Sequence, residues 1–284
     1  MKEPISIEAG TLYLVGTPIG TISDLSERAG DTLRGVDLIY AEDTRHSAKI
    51  CEYTEAHAPM QSYHEHNKKQ MGPRIIEKLQ EGRSVALVTD AGMPAISDPG
   101  EDLVHLCAEN GVKVTCVPGP CAAITALALS GLSTARFVFE GFLPTEQKLI
   151  TSRMETLRAE ERTIIFYEAP HRLLSTLTTL ADFFGDRKIS ICRELTKRNE
   201  EILRTTLLQA VTHFTENEPK GEFVLVLAGR DPEVAKGEAG WQQMTLVEHV
   251  TYYMESGLSK KDAMKQVARD RGIGKSDVYK AMLE

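Results

Sequence analysis

Two loops rich in small residues give the clearest chemical signal in this sequence. The first, residues 89–100, follows a short apolar run and holds two prolines, two aspartates and no basic residue. The second, residues 118–121 (Pro-Gly-Pro-Cys), follows another apolar run in the same way. Prolines stiffen such loops, and glycines let a ligand approach the backbone closely. Because neither loop has a cation to neutralise phosphates, the pair favours a neutral or cationic adenosyl ligand over a nucleoside triphosphate.

Charged residues follow three other apolar runs and form a second candidate cluster. The segments are residues 41–45, 166–172 and 192–198, and each mixes carboxylates with basic side chains. Side chains at strand ends in α/β sheets face a ligand crevice, so we predict a rim of cations that binds phosphates around inward carboxylates. The rim cations are Arg45, Arg172, Arg193 and Lys197. The alternative is ordinary ion pairing at helix starts, where acids are favourable in any case.

Three further signals are weaker. The turn Gly16-Thr-Pro-Ile-Gly20 follows the first apolar run but lacks the glycine pattern of a dinucleotide or P-loop fingerprint, so a structural turn is an equal alternative. His64 and His66 have H-x-H spacing without a third ligand, and we predict no metal site. The five cysteines are odd in number, widely spread and without a C-x-x-C pair, which favours a reducing compartment over a disulfide framework.

The elements that position these loops read as alternating strands and helices, which is typical of an α/β fold with a mainly parallel sheet. The strands predicted for an N-terminal α/β domain, residues 1–120, are 11–15, 36–40, 85–89 and 112–117. The strands predicted for a second α/β domain, residues 121–232, are 137–139, 163–167, 188–192 and 223–227. Polar and apolar residues alternate more in this second set, so antiparallel pairing is plausible there.

A linker and a small helical domain are predicted to follow. Residues 231–240 are rich in Gly, Pro, Ala and acids, and Trp241 stands beside them. Within a C-terminal domain at 241–284, Ser259 is predicted to start a helix that Gly272 ends. Ser276 is predicted to cap a last helix, and the pair resembles a helix-turn-helix.

Composition limits the classes of protein that remain. The 284 residues are 42% apolar and 26% charged, as in globular proteins, and the net charge of −8 excludes a uniformly basic surface. Residues 256–284, however, hold seven Lys/Arg against four Asp/Glu, which hints at a nucleic-acid partner; a helical cap with ordinary surface lysines is the alternative. With neither a signal peptide nor an apolar run near 18 residues, we expect a cytoplasmic protein with no membrane contact.

In order and spacing, six segments resemble the tetrapyrrole methylase (class III) family of methyltransferases. The segments are residues 14–20, 41–45, 90–100, 118–120, 167–172 and 193–197. Within that family they are similar to the branch that methylates the ribose 2′-hydroxyl of a cytidine in 16S ribosomal RNA and has a C-terminal helix-turn-helix. The resemblance covers about residues 10–230, and Met93 and Cys121 stand where Thr and Ser are expected.

The resemblance implies three partners. S-adenosyl-L-methionine would lie in the cleft between the two α/β domains, the substrate would be 16S rRNA, and the chain would form a homodimer. Because a negatively charged chain binds free RNA poorly, we expect recognition of the assembled small ribosomal subunit. Matched by motif, the residues of the cofactor wall would be Ile19, Ala91, Gly92, Met93, Ile96, Cys121, Ala122, Glu168 and Leu195.

The implied reaction is one in-line displacement, in which the protein contributes mainly alignment. A carboxylate would help by accepting the proton of the hydroxyl nucleophile. The candidates for this catalytic role, chosen by their place at strand ends, are Glu42, Asp43, Asp98 and Glu194. Arg45, Arg193 and Lys197 would then steer phosphates.

Two other functions stay open from the sequence. One is a sister enzyme that methylates a ring carbon of a tetrapyrrole or corrin precursor, for which the charged 42–45 segment and the basic C-terminal helices have no evident use. The other is a non-catalytic RNA-binding assembly factor, for which the two uncharged loops have no evident use. Methyl transfer to a macrocycle would identify the first, and RNA association without any binding of S-adenosylmethionine the second.

Overall fold

The computed structural model of the chain describes residues 6–231 and 244–282. Contacts divide the chain into two compact units, Met1–Arg158 with Arg162–Ala228 and Ala159–Glu161 with Gly229–Glu284. The two sheets described below both belong to the first unit. Apart from Asp231, the predicted linker lies outside the described residues, and so does Trp241.

The first sheet has five parallel strands. They are β1 (Thr11–Val15), β2 (Leu38–Ala41), β3 (Met60–Ser62), β4 (Val85–Val88) and β5 (Lys113–Val117). Their order is β3-β2-β4-β1-β5, and every pair is parallel. All five carboxyl ends therefore lie along one edge, as predicted for the loops that follow them.

Helices cover both faces of this sheet. They are α1 (Glu27–Gly35), α2 (Thr44–Thr54), α3 (Lys68–Gln80) and α4 (Glu101–Glu109), with a single 3₁₀ turn (Ile22–Asp24) before α1. Leu33 and Ile50 of the first two helices pack in one core cluster, whereas Leu79 and Leu103 of the next two pack in another. Burial on both faces explains why the strands read as continuous apolar runs.

The second sheet is mostly antiparallel. Its strands are β6 (Phe137–Phe142), β7 (Thr163–Glu168), β8 (Lys188–Arg193), β9 (Glu201–Thr206) and β10 (Phe223–Leu227). In the order β6-β7-β10-β8-β9, only the β6–β7 pair is parallel. The α/β fold class is thus confirmed, and so is the antiparallel pairing predicted from the alternating pattern.

Helices also cover the second sheet, and one of its faces is shared with the first half of the chain. The helices are α5 (Ala122–Leu129), α6 (Gln147–Leu157), α7 (Leu173–Phe184) and α8 (Leu207–Glu216). Residues of α6, α7 and α8 pack in one large cluster. On the other face, α5 packs with Ile19 from the first half and with Cys192 and Leu195 from the second. The two sheets therefore meet around the residues predicted to bind a ligand.

Three helices form the described part of the C-terminal unit. They are α9 (Leu246–Glu255), α10 (Lys260–Arg271) and α11 (Lys275–Ala281), which pack around Val250, Val267 and Val278. The Ser259 hydroxyl accepts the Asp262 N–H at 3.2 Å and Gly272 ends α10 in the left-handed conformation (φ +62°), which confirms both predicted ends. The cap predicted at Ser276 is wrong, because α11 begins after Gly274.

The described helices include none that could cross a lipid bilayer: across residues 6–231 and 244–282, each is too short or too polar. All five cysteines have free thiols.

Candidate active site

The two small-residue loops predicted from the sequence lie against the turn that follows β1. A β-carbon built on Gly16 would lie 2.6 Å from the backbone nitrogen of Gly119, so the chain has room only for glycine at this crossing. The Thr17 N–H donates to the Gly92 carbonyl at 2.8 Å, and the Gly92 N–H donates back to Thr17 at 3.1 Å. The turn at Gly16–Gly20 is thus hydrogen-bonded to the first loop and packs closely against Gly119 of the second.

Buried side chains tighten the same junction. The Thr17 hydroxyl, fully buried, donates to the Thr89 carbonyl at 3.2 Å. The Met93 sulfur accepts the Gly119 N–H at 3.3 Å. Thus Met93, which departs from the family pattern, joins the two loops to each other at this position.

The second sheet supplies the opposite wall. Strands β7 and β8 both pair antiparallel with β10, so their carboxyl ends flank the start of that strand: Phe223 is opposite Glu168 on one side and Arg193 on the other. The Tyr167 hydroxyl accepts the Ala123 N–H at 3.1 Å, and thereby holds the first turn of α5 over the sheet. Segments from both halves of the chain therefore face one space.

That space is a cavity of about 440 Å³. Its lining includes all nine residues of the predicted cofactor wall, namely Ile19, Ala91, Gly92, Met93, Ile96, Cys121, Ala122, Glu168 and Leu195. The residues of the lining that sequence reasoning did not assign to the site are Ser97, Phe142, Tyr167, Ala169, Pro170, Cys192, Glu222, Phe223 and Val224. In the lining as a whole no side chain is cationic, whereas Asp98, Glu168 and Glu222 are carboxylates.

Asp98 is the predicted catalytic carboxylate that lies on the cavity wall. Burial, together with the nearby carboxylates of Glu42 and Asp90, raises the pKa of Asp98 to about 7, and the Thr89 hydroxyl opposes this shift. That hydroxyl donates to Glu42 at 2.9 Å. A carboxyl group with a pKa near neutrality can gain and lose a proton under physiological conditions, as a general base requires.

Of the other predicted carboxylates, Asp43 and Glu194 have structural partners. Asp43 caps α2 and pairs with the Arg45 guanidinium, whose hydrogen bonds lower the pKa of Asp43 to about 2. Glu194 accepts the Glu222 N–H at 3.0 Å and the Lys197 ammonium at 2.9 Å. Although burial opposes the change, these two contacts lower the pKa of Glu194. Both groups are weak proton acceptors, and neither is among the described residues that line the cavity.

The four predicted rim cations differ in exposure. The Arg45 side chain is 89% exposed and pairs with Asp43. Arg172 is turned inward, where it donates to the carbonyls of Leu143 and Pro144 at 2.9 Å and lies 3.6 Å from the fully buried Glu168 carboxylate. The other two also have partners within the chain: Arg193 donates to the Lys220 carbonyl at 2.6 Å and Lys197 pairs with Glu194 and Glu222. Arg45 is thus the rim cation most open to an outside anion.

Backbone strain is concentrated around the cavity. Four of the five described non-glycine residues with positive φ lie in its loops, and they are Ala95 (φ +68°), Ser97 (φ +60°), Glu194 (φ +50°) and Thr196 (φ +61°). Each such residue costs on the order of 1–3 kcal/mol, and such positions persist where the surrounding structure holds them. The strain at 95 and 97 fixes the direction of Ile96 and Asp98, which both line the cavity.

A second hollow, of about 860 Å³, adjoins the cavity and shares Ser97 and Asp98 with it. Its lining also includes Glu42, Glu65 and Asp102. Within residues 6–231 and 244–282, no three His, Cys, Asp or Glu side chains are grouped as metal ligands. The site as a whole joins a cation-free cavity to a carboxylate that can exchange a proton.

The fold and the site together define a family. Residues 11–211 match the sequence model of the Tetrapyrrole (Corrin/Porphyrin) Methylases. The chain therefore belongs to the tetrapyrrole methylase family, as its motifs predicted, and is a methyltransferase.

Several proteins of similar sequence belong to one branch of that family. The chain is similar to proteins named ribosomal RNA small subunit methyltransferase I. The one from Halalkalibacterium halodurans is 48% identical over 272 residues, which is 96% of this chain and 94% of the relative. The one from Bacillus subtilis is 46% identical, with 96% and 94% covered, and the one from Escherichia coli O157:H7 is 40% identical, with 97% and 95% covered.

Solved structures agree on the fold. Uroporphyrin-III-C-methyltransferase from Thermus thermophilus superimposes with a TM-score of 0.54 at 18% identity, covering 77% of this chain and 94% of that one. Diphthine synthase gives a TM-score of 0.59 at 15% identity, covering 77% and 89%. At these identities the likeness establishes the fold alone.

Proposed function

We propose that this chain transfers a methyl group from S-adenosyl-L-methionine to the ribose 2′-hydroxyl of a cytidine in 16S rRNA. The observation on which the proposal chiefly rests is the cation-free cavity with Asp98 on its wall. The names of the relatives, which specify RNA of the small ribosomal subunit, support the substrate. We further propose, from the family resemblance, that the chain acts as a cytoplasmic homodimer.

The cavity lining fits S-adenosylmethionine in size and charge. A volume of about 440 Å³ lies in the range of roughly 300–1,000 Å³ that is usual for small-molecule sites. Ala91, Gly92 and Ala122 leave room beside an adenosyl group, and a lining without a cationic side chain has nothing to neutralise a polyphosphate. When bound, this cofactor supplies an activated methyl group on a sulfonium sulfur.

Asp98 is assigned as the proton acceptor. Its carboxylate takes the proton of the 2′-hydroxyl, and burial together with the Glu42 carboxylate raises the pKa of Asp98 to about 7. The surrounding structure holds the strained residues on either side of Ile96 in place, and Asp98 directly follows them. The remaining contribution of the protein is alignment, since a wrongly oriented hydroxyl would not react.

The substrate is proposed to be the assembled small subunit. A chain with a net charge of −8 has little general affinity for free RNA. Exposed Arg45 and the basic helices α10 and α11 would contact phosphates at chosen places. Single-stranded or flipped nucleotides can reach a recessed site, whereas a paired ribose cannot.

Nucleoside mass spectrometry tests this function directly. RNA of the small subunit from cells with and without this protein would be digested and searched for 2′-O-methylcytidine, which we expect only when the protein is present. In vitro, labelled S-adenosylmethionine would be offered with assembled subunits, free 16S rRNA and a uroporphyrinogen-type macrocycle. We expect transfer to the subunits; transfer to the macrocycle alone would contradict the proposal.

A further inference from the structure

Phe142 has an unusual position for a large apolar side chain. It lines the cavity, yet 52% of its surface is exposed. A side chain that only completed the hydrophobic core would be covered on folding. Its exposed surface is therefore available to a ligand that enters from outside the chain.

An irregularity in the backbone of β6 directs the Phe142 side chain towards the opening of the cavity. The pairing of β6 with β7 shifts register between Phe139 and Gly141, and Gly141 has φ +63°. Such irregularities redirect the side chains that follow them, and they are common beside active sites. The Tyr167 ring meets the Phe142 ring edge-on at 5.5 Å, which supports the Phe142 ring from within the cavity.

The same irregularity brings the end of β6 to the loop of the proposed base. A β-carbon built on Gly141 would lie 3.0 Å from the Ser97 hydroxyl. Ser97 directly precedes Asp98, and both of them line the cavity together with Phe142. The exposed aromatic ring and the carboxylate with the raised pKa are thus neighbours at one opening.

We propose that Phe142 is a stacking platform for the base of the target nucleotide. The inference rests on the proposed function and identifies the subsite that binds the planar, aromatic part of the substrate. Stacking on Phe142 places the attached ribose beside Asp98, so that its 2′-hydroxyl faces the carboxylate. Phe142 is in this sense a positioning residue, and the contribution of a stacked base to affinity depends on a flat ring instead of on apolar bulk.

Steady-state kinetics of four variants test the platform. The substrate is small ribosomal subunits isolated from cells that lack this protein, and calorimetry gives the Kd for S-adenosylmethionine. Phe142→Ala and Phe142→Leu are expected to raise the KM for subunits by about 5- to 150-fold, the effect of removing one aromatic–base stack. Phe142→Tyr retains a flat ring and is expected to restore the KM. Phe137→Ala, at the other end of β6 and 38% exposed, is the matched control and leaves both constants unchanged.

Two results would overturn the platform. If Phe142→Leu has the KM of the wild type, a flat ring is not required. If Phe142→Ala instead weakens S-adenosylmethionine binding and leaves the KM for subunits unchanged, the ring belongs to the cofactor wall. Failure of the proposed function is distinct from both, since the wild type itself would then transfer no methyl group to the subunits, and the inference would fall with it.

Discussion

Gly16 and Gly119 cross so closely that a β-carbon on Gly16 would lie 2.6 Å from the Gly119 nitrogen and 2.7 Å from the Met93 sulfur. The turn after β1 and the two small-residue loops can therefore pack this closely only with a glycine at position 16. This crossing positions Gly92 and Met93 at the cavity wall.

Gly16→Ala is expected to disrupt cofactor binding. The added methyl group must displace one of the two loops, at a cost of roughly 1–3 kcal/mol for overpacking. Calorimetry should show a Kd for S-adenosylmethionine raised by at least about tenfold, which corresponds to about 1.4 kcal/mol. Gly30→Ala in α1 is the control, because the nearest atom to its new β-carbon is an ordinary 3.4 Å away. Equal binding by both variants would show that the crossing does not shape the site.

Methyl transfer should increase with pH through neutrality. The pKa of Asp98 is raised to about 7, so below that pH most of the group is protonated and cannot accept a proton. The rate under substrate saturation should rise as pH increases and level off above the pKa. Asp98→Asn should lose about 10²–10⁴-fold in rate, the usual contribution of a general base. A flat profile for the wild type would exclude this role.

Glu42→Gln should move the midpoint of that profile to lower pH. The Glu42 carboxylate raises the pKa of Asp98 by charge repulsion, and glutamine removes the charge. Asp43→Asn serves as the control, since Asp43 pairs with Arg45 and its own pKa is about 2. If Glu42→Gln abolished transfer and Asp98→Asn did not, Glu42 would be the proton acceptor instead.

Because of the same Asp98 carboxyl group, the free energy of unfolding should fall as pH rises, whereas the rate of methyl transfer increases. Since the pKa of Asp98 is raised by folding, the native state retains its proton between the unfolded value near 4 and about 7. The wild type therefore loses stability as pH rises through that window, and Asp98→Asn does not. Urea unfolding at several pH values should show that, as pH rises, Asp98→Asn becomes more stable relative to the wild type. A pH-independent difference would mean that the pKa of Asp98 is not raised.

Arg172, which is turned inward, and Arg45, which is exposed, should affect different properties when they are replaced. Arg172→Ala leaves the Leu143 and Pro144 carbonyls without this donor, and each unsatisfied group costs about 1–3 kcal/mol. The change also removes the cation 3.6 Å from the buried Glu168 carboxylate. The melting temperature of this variant should fall. Arg45→Ala should leave the melting temperature unchanged and weaken binding to ribosomal subunits. Reversal of the two effects would place Arg172 at the RNA surface.

The C-terminal unit offers a test of electrostatic binding. Lys261 and Lys265 are exposed on α10. Changing both to Glu should weaken binding to ribosomal subunits and make it less dependent on salt, by about one unit of log–log slope for each phosphate that is no longer neutralised. The affinity for S-adenosylmethionine should stay unchanged, because every residue of the cavity lies before residue 229. Unchanged salt dependence would favour a purely structural role for these helices.

The sequence predicts those strands and helices whose signals lie within one short segment. Eight of the ten described strands are continuous or alternating apolar runs and were predicted. The three-residue strand Met60–Ser62 and the half-exposed edge strand Glu201–Thr206 were not, because pairing rather than composition makes them strands. The capping box of Thr245 and Glu248 that begins α9 was a readable signal and was overlooked.

The residues of the candidate site also fall into two groups: those with a signal in a short segment, and those that only the fold brings to the site. The nine wall residues lie in or directly beside loops with a recognisable pattern, and all of them line the cavity. Phe142 and Glu222 reach the cavity only through sheet register, which no short segment shows. Likewise, the raised pKa of Asp98 depends on burial and on Glu42, which is distant in the chain, whereas the partner of Asp43 is the neighbouring Arg45.

Calorimetric titration of the purified chain with S-adenosylmethionine, repeated with ATP, decides whether the cavity binds the cofactor and excludes a nucleoside triphosphate. We predict saturable binding of S-adenosylmethionine that Gly16→Ala weakens and Gly30→Ala does not, and no binding of ATP, whose phosphates would find no cationic side chain among the residues of the wall. Absence of heat with S-adenosylmethionine at millimolar concentration, or binding that ignores Gly16→Ala, would contradict this prediction.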